Sequence, residues 1–269
     1  MEAIDRKYEN LKDYIGELGA LVVAYSGGVD SALVLKVATE VLGKKAIGVT
    51  ADSPSVPRVE IEESKSIAES IGARHILVAT NEIENDNYSQ NPVNRCYYCK
   101  FELYSHLIHV ARKEGIKVVA NGTNLDDLGD YRPGLEAAKE FQVVSPLKEA
   151  GLNKADVRTL AKKLGLKIWD KSASPCLASR IPYGNTVTPE KLAMVEKAEV
   201  FLKAYGLKEL RVRHFGGTAR IETPRTDLPT IENHFEAISN YFKKLGFENT
   251  EWKQFKSGAL NALIKDLKD

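Results

Sequence analysis

Apolar positions along the chain change period repeatedly, and those changes outline the fold. Ile4, Tyr8, Leu11, Ile15 and Leu18 recur at helical spacing, so the chain opens on an amphipathic helix. The continuous apolar run from Ala20 to Tyr25 reads as a buried strand, and Leu33, Leu35, Val37, Ala38, Val41 and Leu42 resume the helical period directly behind it. Further strands are predicted at 45–50, 74–79, 116–120 and 141–144, with helices near 57–71, 96–114 and 153–164 between them. Such alternation predicts βαβ units and a parallel sheet, an α/β arrangement that gathers ligands beyond the carboxyl ends of its strands. After about residue 170 the rhythm stops. Lys171 to Pro189 carries Ser172, Ser174, Pro175, Pro182, Gly184 and Pro189 with no period, which predicts a long loop of the kind that often bears function. Beyond it come a helix through Leu192, Val195, Leu202 and Tyr205, a hairpin around Gly216-Gly217, a helix from Ile231 through Phe235, Ile238 and Phe242 to Leu245, and a strand near 248–252. The expected organisation is therefore residues 1–170 as an α/β domain, 171–187 as an active-site loop, and 188–269 as a smaller C-terminal α+β domain.

Composition narrows the class. With 269 residues, 43% hydrophobic and 28% charged, the chain has ample material for one large or two medium globular domains. A net charge of +1 gives no reason to expect nucleic acid or an anionic membrane as the main partner. No run approaches the ~18 apolar residues of a membrane span, and the acidic, amphipathic N-terminus is unlike a signal peptide. Three cysteines, an odd number, do not suit a secreted disulfide framework. A cytoplasmic location is expected.

The chemistry starts at Ser26-Gly27-Gly28-Val29-Asp30-Ser31, between the first strand and its helix. Gly27 and Gly28 let the backbone turn tightly and bring its N–H groups close to an anion. The helix dipole and the unpaired amides of the first turn favour negative charge there. Ser26 and Ser31 offer hydroxyl donors, and Asp30 can hold the Mg2+ that accompanies a nucleotide. The Walker A spacing is absent, because Lys36 lies too far into the helix, and so is the dinucleotide pattern G-x-G-x-x-G. The string S-G-G-x-D-S resembles the PP-loop of the ATP pyrophosphatase superfamily. That resemblance implies a Rossmann-like PP-loop domain that cleaves ATP between the α and β phosphates. Members of the superfamily place AMP on a carbonyl or carboxylate oxygen, and a nucleophile then displaces it.

A second segment, Gly122 to Asp127, follows the apolar strand Val118-Val119-Ala120 and falls at another strand's carboxyl end. Asp126 and Asp127 suit Mg2+ or nucleotide contacts, and Arg132 suits a released diphosphate. Asn/Asp/Gly clusters are also ordinary turns. PP-loop enzymes often carry a similar segment here, which favours the nucleotide reading. Asp52-Ser53, after the second strand, is expected to line the adenosine side.

Cys96 and Cys99 form C-x-x-C between Arg95 and Lys100, at a predicted helix start. First-turn amides and flanking cations lower thiol pKa values and favour thiolate. Cys176 stands in the Pro/Ser-rich loop. Zinc could use the pair with His106 and His109, but six residues between the pairs and two between the histidines are too few for a usual finger. A redox C-x-x-C normally opens a thioredoxin-like fold, against which the PP-loop argues. The third reading is a [4Fe-4S] cluster on three thiolates, which leaves one iron open to a sulfide or a substrate atom.

Taken together, the PP-loop, GTNLDDLGDYRPG at 122–134, SPCLASRIPYG at 174–184 and RVR at 211–213 resemble the LarE family of PP-loop sulfur transferases, over nearly the whole chain. The resemblance implies an ATP-dependent sulfurtransferase of nickel-pincer cofactor biosynthesis. ATP would adenylate a carboxylate of a pyridinium dicarboxylate mononucleotide, which sulfur converts to a thiocarboxylate. Cys176 matches the family's sulfur-delivering cysteine, sacrificed to dehydroalanine in one-cysteine members. Cys96 and Cys99 beside it resemble the three-cysteine branch, which holds a [4Fe-4S] cluster and turns over. Ser179, Arg180, Arg211 and Arg213 match positions that bind the substrate phosphate. Glu199 and Glu222 match acidic positions tied to catalysis or metal binding. Strand alternation puts Arg211 and Arg213 on one face, where two guanidiniums suit a phosphate or else pair across the strand with Glu222. A small nucleotide-like substrate, a separate sulfur donor and a homo-oligomer are the expected partners. tRNA thiolation is the nearest alternative, disfavoured by the near-neutral charge and the lack of a basic extension or extra C-x-x-C fingers. An amide ligase would need an ammonia source, for which no glutaminase is encoded, and an ATP sensor would release no diphosphate.

Overall fold

The computed structural model describes residues 3–129 and 132–255. In chain order the helices and strands are α1 (Ala3–Leu18), β1 (Leu21–Ala24), α2 (Val29–Leu42), β2 (Ala46–Asp52), α3 (Arg58–Ile71), β3 (Arg74–Ala79), α4 (Asp86–Ser89), α5 (Arg95–Lys113) and β4 (Val119–Ala120). They continue as α6 (Gly134–Glu140), α7 (Pro146–Glu149), α8 (Lys154–Lys163), α9 (Pro189–Lys203), β5 (Arg211–Phe215), β6 (Thr218–Thr223), α10 (Leu228–Asn233), α11 (Phe235–Leu245) and β7 (Asn249–Gln254). The chain divides into two units, residues 1–82 with 96–174, and residues 83–95 with 175–269. The break between the units falls at 174–175, inside the expected 171–187 loop. Residues 83–95 depart from the first unit and join the second, a return that a linear reading of periodicity does not register.

The first unit is built on a parallel four-stranded sheet in the order β3-β2-β1-β4. Successive residues of β1 serve opposite faces, as the pleat requires. Leu21 and Val23 join Leu11, Ile15, Leu33, Leu35 and Leu160 on one side, and Val22 joins Ile47, Tyr104, Leu107 and Val119 on the other. Each such side chain, fully buried, contributes about 1.5–3 kcal/mol relative to an exposed one. Burial on both faces explains why β1 reads as an unbroken apolar run rather than an alternating one. Strand order runs outward from β1 through β2 to β3, and β4 lies on the other side of β1. The carboxyl end of β1 is therefore a switch point of the sheet.

Two strands are shorter than their apolar runs predict. The run 116–120 yields only Val119–Ala120, because Gly115 (φ 68°) and the bond from Ile116 N to Ala111 O (2.8 Å) still belong to the end of α5. The run 141–144 yields one bridge, Val144 to Ala120. Helix α6 reaches Glu140 and Gln142 turns left-handed at φ 52° to end it.

In the second unit β5 and β6 form the expected antiparallel hairpin, with Arg211 opposite Glu222. The strand β7 pairs parallel with β6, since two helices intervene and carry the chain back to its starting end. The single helix expected from Ile231 to Leu245 is two helices, α10 and α11. They are separated at His234, whose φ of −113° is not helical and whose ring lies 4.7 Å from that of Tyr205. Ala198, Leu202, Val212, Ile221, Ile238, Phe242 and Phe247 form this unit's core.

Candidate active site

The turn after β1 is fixed by bonds within itself. Gly27 stands at φ 74°, and a Cβ there would lie 3.1 Å from the Cβ of Ser64 on α3, so conformation and space both call for glycine. Gly28 caps α2 in an extended conformation. Ser31 Oγ donates to the Gly28 carbonyl (3.1 Å), accepts from Ser26 N (3.2 Å), and stands 3.1 Å from Ser26 Oγ. These bonds hold both hydroxyls at the N-terminus of α2, where the helix favours an anion.

Buried Tyr25 and Thr50 connect the turn to half-buried His75. Tyr25 OH donates to the Ser64 carbonyl (3.1 Å), and burial raises its pKa. Thr50 Oγ1 donates to the Tyr25 carbonyl (2.6 Å), so the 2.8 Å contact with His75 Nε2 requires that nitrogen to carry the proton. Burial, and secondarily Lys65, lowers the His75 pKa.

The segment after β4 seats itself against the turn. A Cβ on Gly122 would lie 2.7 Å from Ser31 N, an approach that only glycine permits. Asn124 Nδ2 donates to Asp30 Oδ1 (3.0 Å), and the Lys154 ammonium pairs with Asp30 Oδ2. Neither partner was singled out in the sequence. Asn124 lies inside a recognised segment, but Lys154 reaches Asp30 across 124 residues with no linear signal. Asp126 accepts from Lys154 N (3.0 Å). Asp127 accepts from Asn124 N (3.0 Å) and pairs with Arg132 at 2.8 Å. Both carboxylates thus hold this segment and the start of α8 in place around the turn. Asp130 and Tyr131 of the same motif lie outside the described residues. On the other side of the turn, Asp52 pairs with Arg58, which also binds the Ser53 and Val56 carbonyls. Ser53 Oγ donates to the buried Glu82 at 2.5 Å. Glu82 is a further residue that the pattern did not flag.

In the second unit Arg180, Arg213, Glu199 and Glu222 assemble as a buried group, with Arg211 half-buried beside them. Arg180 forks onto Glu199 (2.9 and 3.1 Å), whose Oε1 also accepts from Val212 N (3.0 Å). Arg213 Nε pairs with Glu222 Oε2 (3.0 Å), while its Nη1 donates to the Ser179 carbonyl (2.7 Å). Arg180 Nη1 reaches Ser179 Oγ (3.1 Å) and the carbonyls of Pro175 (2.6 Å) and Cys176 (3.2 Å). The cross-strand pairing open in the sequence is thus made by Arg213 rather than by Arg211, its register partner. Arg211 is left as a third guanidinium over the Phe255 ring (4.4 Å). Its pKa is lowered by burial first, then by Arg213 and Arg180. Three guanidiniums facing two carboxylates make a cationic group that an anion would relieve.

Cys96 and Cys99 lie one turn apart at the start of α5, Cys96 exposed and Cys99 half-buried. Cys176 is half-buried just before the single turn Leu177–Arg180 of the second unit. Among the described residues, neither unit by itself gathers three His, Cys, Asp or Glu side chains into a metal-binding group. No helix of the described residues is long and apolar enough to cross a membrane.

A parallel sheet with an S-G-G-x-D-S turn at its switch point defines a PP-loop domain, and the profile of the NAD synthase family matches residues 3–95. The chain is 44% identical over 265 residues to the uncharacterised protein slr1717 of Synechocystis, covering 97% of this chain and 99% of that one. It is 36% identical over 264 residues to the pyridinium-3,5-bisthiocarboxylic acid mononucleotide synthase of Lactiplantibacillus plantarum, covering 97% and 96%. A tRNA-specific 2-thiouridylase of Rickettsia rickettsii is 29% identical over 202 residues, covering 61% of this chain and 55% of the relative. The chain belongs to the LarE family of PP-loop enzymes.

Proposed function

We propose that this chain is an ATP-dependent sulfur insertase that acts on a pyridinium dicarboxylate mononucleotide. The observation that carries the reading is the group of buried Arg180 and Arg213 and half-buried Arg211 against Glu199 and Glu222, next to the Cys176 carbonyl. It combines a cationic seat for a substrate phosphate with a thiol in the same unit.

In the first unit the amides and hydroxyls of the loop, with Ser26, Gly27, Gly28 and Ser31, would bind the ATP phosphates, and Asp52 would line the adenosine. Asp30 fits a Mg2+ ion: its two oxygens take one contact each from Asn124 and Lys154, so lone pairs remain for a cation. Such an ion would neutralise charge on the phosphates. Gly122, Asp126, Asp127 and Arg132 shape this site through the segment that packs on the loop. A substrate carboxylate oxygen attacks the α-phosphorus and diphosphate departs. A sulfur nucleophile then attacks the activated carbonyl carbon and AMP departs, leaving the thiocarboxylate.

Ser179, Arg180, Arg211 and Arg213 would seat the substrate phosphate, with Glu199 and Glu222 fixing two of the guanidiniums. Arg211, the guanidinium with surplus charge, is the expected primary contact. Cys96, Cys99 and Cys176 would hold a [4Fe-4S] cluster. What supports this reading is the donor chemistry, three thiols, two of them one turn apart at the start of α5. Bound there, a cluster would supply sulfur at an iron the protein does not ligate. Without it, Cys176 Sγ forms the thioester itself; loss of its Cα proton with cleavage of Cβ–S then releases the thiocarboxylate and leaves dehydroalanine.

Mass spectrometry of the Cys176 peptide after turnover separates these routes. An intact cysteine is expected with the cluster, and loss of the elements of hydrogen sulfide without it. Cys176→Ser is expected to form the adenylate and no thiocarboxylate. Thiocarboxylate production by that variant, or 2-thiolated tRNA made by the wild type, would overturn the proposal.

A further inference from the structure

Residues 83–95 belong to the second unit, and two buried side chains account for that. Asn91 is fully buried and left-handed at φ 57°, a conformation that Asn tolerates better than most residues. Its Nδ2 lies within hydrogen-bond distance of the carbonyls of Ile181 (3.2 Å), Pro182 (2.7 Å) and Asn185 (3.0 Å), and its own carbonyl accepts from Gly184 N (3.0 Å). Arg95 is 3% exposed. Its Nη1 donates to Asn91 Oδ1 and to the Ala178 carbonyl (3.0 Å), and its guanidinium lies 6.0 Å from the Tyr88 ring and 5.9 Å from that of Tyr183.

The segment these residues grip runs from 175 to 187 and contains a single short turn, Leu177–Arg180, with no strand. It therefore lacks a backbone ladder to fix its path, and side-chain donors take that place. A guanidinium is costly to bury unless oxygen acceptors and ring faces surround it, so Arg95 adopts this position only when the loop presents its carbonyls correctly. Ala178, which accepts from Arg95, is two residues beyond Cys176. The Cys176 carbonyl is in turn tied to Ser179 N (3.0 Å) and Arg180 Nη1 (3.2 Å).

We propose that Asn91 and Arg95 are positioning residues for the Cys176 thiol, clamping the loop that carries it so that sulfur transfer, and not adenylation, depends on them. This rests on the role of Cys176 proposed above. The test compares Asn91→Gly, Arg95→Lys and Arg95→Met with the wild type at saturating substrate. Glycine keeps the left-handed backbone and removes only the amide; lysine keeps the charge without the fork, and methionine removes both. Two activities are read on each protein, substrate-dependent exchange of labelled diphosphate into ATP and formation of thiocarboxylate, alongside thermal unfolding.

At saturating substrate, exchange is expected to stay at the wild-type level, with only the substrate KM rising because Ser179 and Arg180 share the loop. Thiocarboxylate formation should fall about 10-fold to 100-fold in Asn91→Gly and Arg95→Met, the range expected of a misplaced reacting group, with Arg95→Lys between them and the wild type. Both activities falling in parallel with the melting temperature would reduce the clamp to a structural element and overturn the proposal, as would no loss in any variant. A wild type with neither exchange nor product would instead overturn the function on which it rests.

Discussion

Gly122 shows how a single missing atom can shape a site. The sequence placed it in a nucleotide-binding segment by position; the structure gives the physical reason for glycine, a Cβ that would stand 2.7 Å from the backbone nitrogen of Ser31. Gly122→Ala must push the segment off the helix start. It is expected to cost about 1–3 kcal/mol, as overpacking does, with a larger proportional loss of ATP-dependent activity. Urea denaturation beside an exchange assay checks both. His75 and His214 belong to no sequence motif, yet both have pKa values lowered chiefly by burial. Both rings are neutral in the fold and protonate near 6.5 when unfolded. The stability they contribute is present above that value and is lost as pH falls through it toward the lowered folded pKa values. The urea midpoint should therefore drop between about pH 7.5 and about pH 5, and drop less in His75→Gln. An equal drop in both proteins would count against this. Pairings across long sequence separations, such as Lys154 with Asp30 and Arg180 with Glu199, were invisible in one dimension, because only the fold sets their distance.

At the scale of elements, what the sequence displayed was burial, and it was most legible where burial was uniform. The strand–turn–helix of β1 and α2 was readable because both elements are apolar along most of their length. Strand ends were not. Gly115 and Gln142 extend helix ends into runs that look like strands, and His234 splits a continuous helical pattern at one non-helical residue. A cap also links element to site. Asn153 and Asp156 form a reciprocal capping box on α8, and the residue between cap and helix body is Lys154, whose backbone and ammonium meet Asp126 and Asp30. Asn153→Ala is expected to cost about 1 kcal/mol through the lost cap, and to raise KM for ATP through a displaced Lys154. A cap acting on the helix alone would change the melting temperature and leave KM untouched.

Across the whole molecule, the sequence read the α/β class, the parallel sheet and the smaller α+β region. The LarE-type resemblance found in its motifs is matched by a relative 36% identical along 97% of the chain. It did not read the return of residues 83–95 to the second unit, because that assignment depends on buried polar contacts rather than on periodicity. The proposed division of labour follows the architecture: a loop that would activate a carboxylate in one unit, and in the other Cys176, whose carbonyl is bonded to Arg180. The most direct test is to incubate the purified protein with Mg-ATP and pyridinium-3,5-dicarboxylate mononucleotide and to follow nucleotides and product mass together. AMP and diphosphate are expected in equal amounts, with a carboxylate oxygen of the substrate replaced by sulfur. ADP and phosphate as the products, or AMP released with the substrate mass unchanged, would contradict the proposed function.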